Sequence, residues 1–208
     1  MNNRNTYQTS QVLLDRVINV LDRNTQSEEE LINSLKDDYI VRAKAVAYII
    51  DAKPEAERKI ANLMSVDEVH LFDKDGTIYS GSVPKYYGYN FDSGEQIEYF
   101  KPMLTDKTLT MCQDVTPNTS EGKEMMYAIT WNEAGTRMVQ VGIKPVRLLE
   151  EVKQNEVSSV VENMPVYEGM SILVADTKTG EIYGATDTDK IGKTLEDIGV
   201  DTRNFNLA

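Results

Sequence analysis

One cysteine, Cys112, and one histidine, His70, are all this 208-residue chain has of two side chains that commonly hold metals or act as nucleophile and base. A single cysteine excludes an internal disulfide and a cysteine-rich metal site. A metal site resting on one histidine would need carboxylates at ligand spacing, and the sequence offers none, so no metal and no cofactor are expected. Any Ser-His-Asp or Cys-His arrangement would have to use His70, which lies in the strand-like run Val69-His70-Leu71-Phe72 with nothing nearby to recommend it. Cys112 falls in another strand-like run, 108–115, and reads as a buried structural thiol. Long apolar runs are missing too: no stretch of about 18 apolar residues could span a membrane. The start does not resemble a secretory leader, because Met1-Asn2-Asn3-Arg4-Asn5 leads into polar residues. Basic excess is also lacking. The formal net charge of −12 repels nucleic acid and anionic lipid headgroups, so neither is an expected partner.

What is present has globular composition, with 40% hydrophobic and 27% charged residues, enough for one large domain or two small ones. The first 65 residues carry helical signals and are expected to form a stalk. Val12, Leu13, Leu14, Val17, Ile18 and Leu21 make an apolar stripe. Ser27 with Glu30 reads as a capping box opening a second helix, along which Leu31, Leu35, Tyr39, Ala43 and Ala47 recur every four residues. Pro54 suits the first turn of a third helix, 55–64. Small residues such as Ala43, Ala45, Ala47 and Ala52 would let this arm lie close to a sheet or to a partner helix, and a homodimer through it is one expectation.

From Val66 the apolar period becomes two. Strands are predicted at 69–72 and 77–80 across the turn Asp73-Lys74-Asp75-Gly76. A Gly- and Tyr-rich loop (81–94) and a short helix (95–104) follow, then strands at 108–115, 124–131 and 137–143. Hairpin, helical crossover and three-stranded meander is the element order of a PAS-type five-stranded antiparallel sheet. The chain thus reads as α+β: N-terminal helices, a module at 66–145, a linker helix at 146–165, and a further module from 166 to 208. The last of these begins with an echo of the first. Ile172-Leu173-Val174-Ala175-Asp176 through Gly180-Glu181-Ile182-Tyr183 parallels Val69-His70-Leu71-Phe72-Asp73 through Gly76-Thr77-Ile78-Tyr79. A repeat about 100 residues apart marks two modules of one kind, not a solenoid. No meander follows the second hairpin, so that module is expected to be truncated or completed elsewhere.

This order, with Leu71-Phe72-Asp73-Lys74-Asp75-Gly76-Thr77-Ile78 in the first module and Ile191-Gly192-Lys193-Thr194-Leu195 in the second, resembles the double Cache sensor family over about residues 28–208. The resemblance implies the extracytoplasmic, membrane-anchored sensor region of a bacterial signalling protein, with anchors outside these residues. It also implies a cytoplasmic histidine kinase, diguanylate cyclase or chemoreceptor output, and a small-molecule ligand in the distal module. Some members hold amino acids through an aromatic and arginine motif in the crossover helix. The matching stretch here, Glu95-Gln96-Ile97-Glu98-Tyr99-Phe100-Lys101-Pro102, has no arginine or tryptophan, so the ligand class stays open.

The pocket of such a module is expected between the sheet and its crossover loops. Strand 124–131 places Met125, Tyr127, Ile129 and Trp131 on one face, as ligand contacts or as core. Met111, Gln113 and Asp114 on the preceding strand are further candidates; Gln113 and Asp114 point to opposite faces, and Asp114 falls where the family has a carboxylate. Tyr86, Tyr87, Tyr89 and Phe91 form an aromatic loop, either a lid or a loop docked by its own side chains. The candidate ligand residues are therefore Tyr87, Tyr89, Phe91, Met111, Gln113, Asp114, Tyr127 and Trp131. Two rivals stand beside this reading. Asp73-Lys74-Asp75-Gly76-Thr77 resembles the D-x-D-G-T signature of haloacid-dehalogenase phosphatases, with Asp73 as nucleophile, Asp75 as acid/base and magnesium bound. The meander lacks the intervening helices of that fold, and Asp and Gly are also what a tight turn favours. The other rival is a non-sensing dimerisation or adhesion module with a filled core. Asp187 and Asp189 could open a calcium loop, but Ile191 and Lys193 stand where oxygen ligands belong.

Overall fold

Between Asn3 and Ala52 there is neither glycine nor proline, and the chain folds there as one unbroken α-helix, α1 (Asn3–Ala52). The computed structural model describes residues 3–54 and 56–201. The expected break at 24–27 is corrected. Thr25 turns its hydroxyl back to the Leu21 carbonyl (3.1 Å), and Ser27 bonds the Glu151 carboxylate instead of capping a new helix. Cap-type residues favour a helix start without enforcing one, whereas Lys53-Pro54 disfavours the helical region and ends α1. The third helix, α2, runs Glu57–Leu63; its expected first residue, Glu55, lies outside the described residues.

The chain divides into two compact units, and α1 contributes to both. The first, Leu31–Val146, contains the sheet. Its strands are β1 (Glu68–Phe72), β2 (Ile78–Gly81), β3 (Thr110–Cys112), β4 (Thr116–Pro117), β5 (Glu124–Trp131) and β6 (Met138–Ile143). They lie antiparallel in the order β2-β1-β6-β5-β3, with the two-residue β4 also on β5. This is the PAS-type order expected from the sequence. Between β2 and β3 come a short 3-10 turn (Pro84–Tyr86), α3 (Glu95–Glu98) and a second 3-10 turn (Lys101–Leu104). The crossover helix is thus shorter than expected; Pro102 follows directly on its end.

Register sorts the side chains. His70 pairs with Gln140 and Phe72 with Met138, while Gln140 pairs with Ile129 and Gly142 with Tyr127. Glu68, His70, Phe72, Met125, Tyr127, Ile129, Trp131, Met138 and Gln140 therefore share one face. There Phe72, Phe91, Ile97, Phe100, Met103, Ile129, Trp131 and Met138 form the core under the crossover segment. Burying each large side chain is worth about 1.5–3 kcal/mol. The opposite face carries Val69, Leu71, Met126, Ala128, Val139 and Val141, all buried, and Tyr39, Ala43, Val46, Ala47 and Ile50 form the buried stripe of α1 in this unit. Helix and sheet are tied by Lys36 to Asp114 (2.6 Å) and by Asp51 to both Asn132 and Arg137.

The second unit gathers the described residues of Met1–Glu30 and Arg147–Ala208. It holds α4 (Val146–Asn155, whose first residue belongs to the other unit), α5 (Val157–Glu162), β7 (Leu173–Ala175) and β8 (Ile182–Ala185). The single linker helix expected here is broken at Glu156, whose backbone is extended (φ −53°, ψ 141°). Leu13, Val17, Leu148, Val161, Ile182 and Ala185 are buried in this unit.

The sequence repeat is a structural repeat. In the first hairpin Ile78 N–H donates to Tyr89 O and Gly88 N–H to Ile78 O; in the second Ile182 N–H donates to Lys193 O and Gly192 N–H to Ile182 O. The bridges Thr77–Asn90 and Glu181–Thr194 correspond as well.

Candidate functional site

On the Glu68 face of the sheet, polar side chains interrupt the apolar core. The Glu68 carboxylate accepts from His70 Nε2 (3.0 Å) and from the Tyr127 hydroxyl (2.9 Å) through the same oxygen, Oε2. Asn118 Nδ2 donates to the hydroxyls of Tyr127 (3.4 Å) and Tyr86 (3.3 Å), and the Tyr86 hydroxyl donates to Glu121 Oε2 (2.8 Å). Asn118 is fixed from its other end, since its Oδ1 accepts the Glu121 and Lys123 backbone N–H groups. Gly142 makes room for the Tyr127 ring: a Cβ there would lie 2.5 Å from Tyr127 Cε1.

Two titrating groups show what this environment does. Burial by itself would raise the Glu68 carboxyl, but the hydrogen bonds from His70 and from the Tyr127 hydroxyl outweigh it, and Glu68 is held below its ordinary range. Burial and the neighbouring Glu68 carboxylate push the Tyr127 phenol upward, so it stays a donor. At the rim, bonds from Lys123, Lys85 and Tyr86 lower Glu121 to about 2.

These residues wall a cavity of about 30 Å³, room for about one or two waters, lined by His70, Ile78, Tyr86, Tyr89, Gln96, Ile97, Asn118, Thr119, Ser120, Tyr127 and Gln140. Among the described residues two lining atoms have no hydrogen-bond partner: His70 Nδ1 and Gln140 Nε2, each on a side chain only 2% exposed. Buried polar atoms are almost always paired, which marks this pair out.

Of the candidates drawn from the sequence, Tyr89 and Tyr127 line this cavity. The others are placed elsewhere. Phe91 is buried and stacks on Phe72 at 5.0 Å. Met111 packs against the core, and Trp131 is held by a bond from its Nε1 to the Met103 carbonyl (2.9 Å). Gln113 exchanges bonds with Gln96, giving to its carbonyl and receiving from its amide. Asp114 is exposed and paired with Lys36. Tyr87 is exposed, with its hydroxyl on Gly81 O. The aromatic loop is accordingly docked through Tyr86 and Phe91, with Tyr89 half-buried.

Sequence reasoning passed over Glu68, His70 and Gln140. The signal was there: Gln140 is the one polar residue within Met138-Val139-Gln140-Val141-Gly142-Ile143, and Glu68 and His70 alternate with apolar residues on a buried strand.

The catalytic reading of the first turn meets a plain alternative. Asp73 Oδ1 accepts the backbone N–H groups of Asp75 (2.9 Å) and Thr77 (3.0 Å), and Asp176 does the same for Lys178 and Thr179 in the repeat. Asp75 is exposed. Cys112 is buried, and burial pushes its thiol up to about 12, so it is a poor nucleophile. Among the described residues no group of three or more His, Cys, Asp or Glu is placed to hold a metal ion, and no helix is long and apolar enough to cross a membrane.

No family model and no curated protein matches the chain. It is similar to solved structures at low identity. The sensory domain of the Campylobacter jejuni chemoreceptor Tlp3 with isoleucine bound is 13% identical with TM-score 0.48, over 88% of this chain and 74% of that one. An extracellular ligand binding receptor from Desulfohalobium retbaense is 19% identical with TM-score 0.46, over 84% of this chain. The ligand-binding domain of the Pseudomonas fluorescens chemoreceptor CtaA with L-alanine is 15% identical with TM-score 0.44, over 89% of this chain and 77% of that one. The chain spans about a third of the length of the Desulfohalobium receptor (32%). The α+β fold with PAS-type strand order stands on this chain's own register.

Proposed function

We propose that this chain is the ligand-sensing region of a bacterial membrane signalling protein, facing outside the cytoplasm, with its small-molecule site in the cavity on the Glu68 face of the sheet. The observation that carries the reading is the pair of buried, unpartnered polar atoms, His70 Nδ1 and Gln140 Nε2, in a cavity also lined by Tyr86 and Tyr89 of the docked aromatic loop. A core built only for stability gains nothing from leaving such atoms unmatched. A ligand larger than about one or two waters requires the 84–91 loop to give way, and that displacement is the step through which binding would be felt. The 31–52 segment of α1 and the sheet's opposite face both bury apolar residues in this unit, and Asp51 bonds Asn132 and Arg137, so a ligand that favours one arrangement of the sheet would bias that helix. Output through a histidine kinase, diguanylate cyclase or chemoreceptor domain, anchoring by flanking segments, and pairing of two copies through the helices belong to the same proposal.

The test is a thermal-shift screen of small metabolites against the purified chain, followed by titration of each hit against Tyr89→Ala. A hit whose affinity drops at least tenfold in Tyr89→Ala supports the site. A screen without hits favours the rival reading of a dimerisation or adhesion module, which the small volume of the cavity also fits. Phosphatase turnover that disappears in Asp73→Asn would restore the enzyme reading.

A further inference from the structure

The sensor reading leaves the ligand's chemistry open, and the residues at the cavity floor narrow it for a chain that works as that reading holds. His70 and Gln140 are direct cross-strand partners on β1 and β6, so their side chains stand side by side on that floor. The His70 ring is oriented by its other nitrogen. Nε2 faces the Glu68 carboxylate, which only accepts, so the neutral ring carries its proton on Nε2 and offers the Nδ1 lone pair to the cavity. Gln140 offers the opposite, an N–H donor. An acceptor and a donor are therefore presented together.

The rest of the lining limits what can meet them. Among the described residues no lysine or arginine lines the cavity, and the Glu68 carboxylate bonds two of the lining residues, His70 and Tyr127. An anionic ligand would find no cation there and would feel a like charge in a poorly solvated place. Tyr86, Tyr89, Tyr127, Ile78 and Ile97 form the walls, which suit a flat and largely apolar body.

We infer that the cavity takes a small uncharged molecule bearing a cis amide edge, a lactam or primary carboxamide, whose N–H donates to His70 Nδ1 and whose C=O accepts from Gln140 Nε2. One planar edge satisfies both orphaned atoms, and neither a carboxylate nor a simple amine does. A site built around such hydrogen bonds also rejects analogues that lack one of them, because a buried group is then left unmatched.

The experiment is calorimetric titration of the purified chain with 2-piperidone and uracil, each against its N-methylated counterpart, N-methyl-2-piperidone and 1,3-dimethyluracil. Succinate and L-isoleucine represent charged ligands. Binding of a parent amide that weakens at least tenfold on N-methylation, and again at least tenfold in Gln140→Leu or Gln140→Met, is the expected result. The N-methyl comparison uses the unaltered chain and stands even if both variants fail to fold. Equal binding of parent and N-methylated forms, or no binding of either parent, overturns the amide assignment. Succinate or isoleucine binding that depends on Gln140 overturns the class of ligand while leaving the sensor reading intact. If nothing binds and Gln140→Leu raises the melting midpoint, the cavity holds water alone and both readings fall.

Discussion

Glu68 is a buried carboxylate whose charge is matched by two donors on one oxygen, His70 Nε2 and the Tyr127 hydroxyl. Because the folded state holds its carboxyl below the ordinary value of 4.5, its contribution to stability is complete above that pH and fades as pH falls through the lowered folded value. Urea midpoints measured from pH 7 down to pH 3 should therefore fall steeply at the acid end, and Glu68→Gln should flatten that fall. An unchanged acid slope in the variant would mean that other carboxylates govern it. Gly142 is a second pressure point at this scale. A methyl group there meets the Tyr127 ring and the Glu68 side chain, so Gly142→Ala should destabilise the chain by about 1–3 kcal/mol in equilibrium denaturation. His70 and Gln140 show how a residue's meaning depends on its neighbours. Each is an ordinary polar residue in the sequence, and only strand register makes them adjacent.

Along α1, the helix passes through Asn24, Thr25 and Ser27 without a cap. That has a measurable consequence. A capping serine replaced by alanine costs about 1 kcal/mol, whereas an exposed mid-helix serine with one surface bond costs little, because alanine is the better helix former. Ser27→Ala should therefore change stability by less than about 0.5 kcal/mol by urea denaturation; a loss near 1 kcal/mol would place a helix start there after all. The hairpins are the opposite case, where local sequence controlled the outcome. In both, an aspartate carboxylate gathers backbone N–H groups of the turn, and a glycine with positive φ closes it (Gly76 at 85°, Gly180 at 71°). Turn chemistry is local, so the repeat is legible in the amino-acid sequence alone. Locality also explains why residues resembling a phosphatase signature sit in a turn.

At the scale of the whole chain, each compact unit has its own buried residues, and the only tryptophan, Trp131, lies in the Leu31–Val146 unit. Trp131 fluorescence therefore follows the unfolding of that unit, while far-ultraviolet circular dichroism follows the helices of both. Phe72→Ala, which empties the centre of the sheet's core, should cost about 3–5 kcal/mol and move the fluorescence transition to lower urea. If the dichroism keeps a second transition at its original position, the units unfold separately; one coincident shift would mean that they unfold as one.

By itself the sequence determined what depends on neighbours a few residues away: the switch from helical to alternating period near Val66, the two aspartate-glycine turns, the face of β5 that carries Met125, Tyr127, Ile129 and Trp131, and the burial of Cys112. Strand order was readable as well, because hairpin, crossover and meander leave an antiparallel sheet few ways to close. Tertiary structure decided the rest. Continuity of α1 through 24–27 was not legible from its cap-type residues, and the length of the crossover helix was not set by its apolar pattern. The site itself came only from pairing β1 with β6. Side-by-side placement of His70 and Gln140 is a contact across 70 residues of sequence, and their lack of partners is a property of the cavity that no single strand contains.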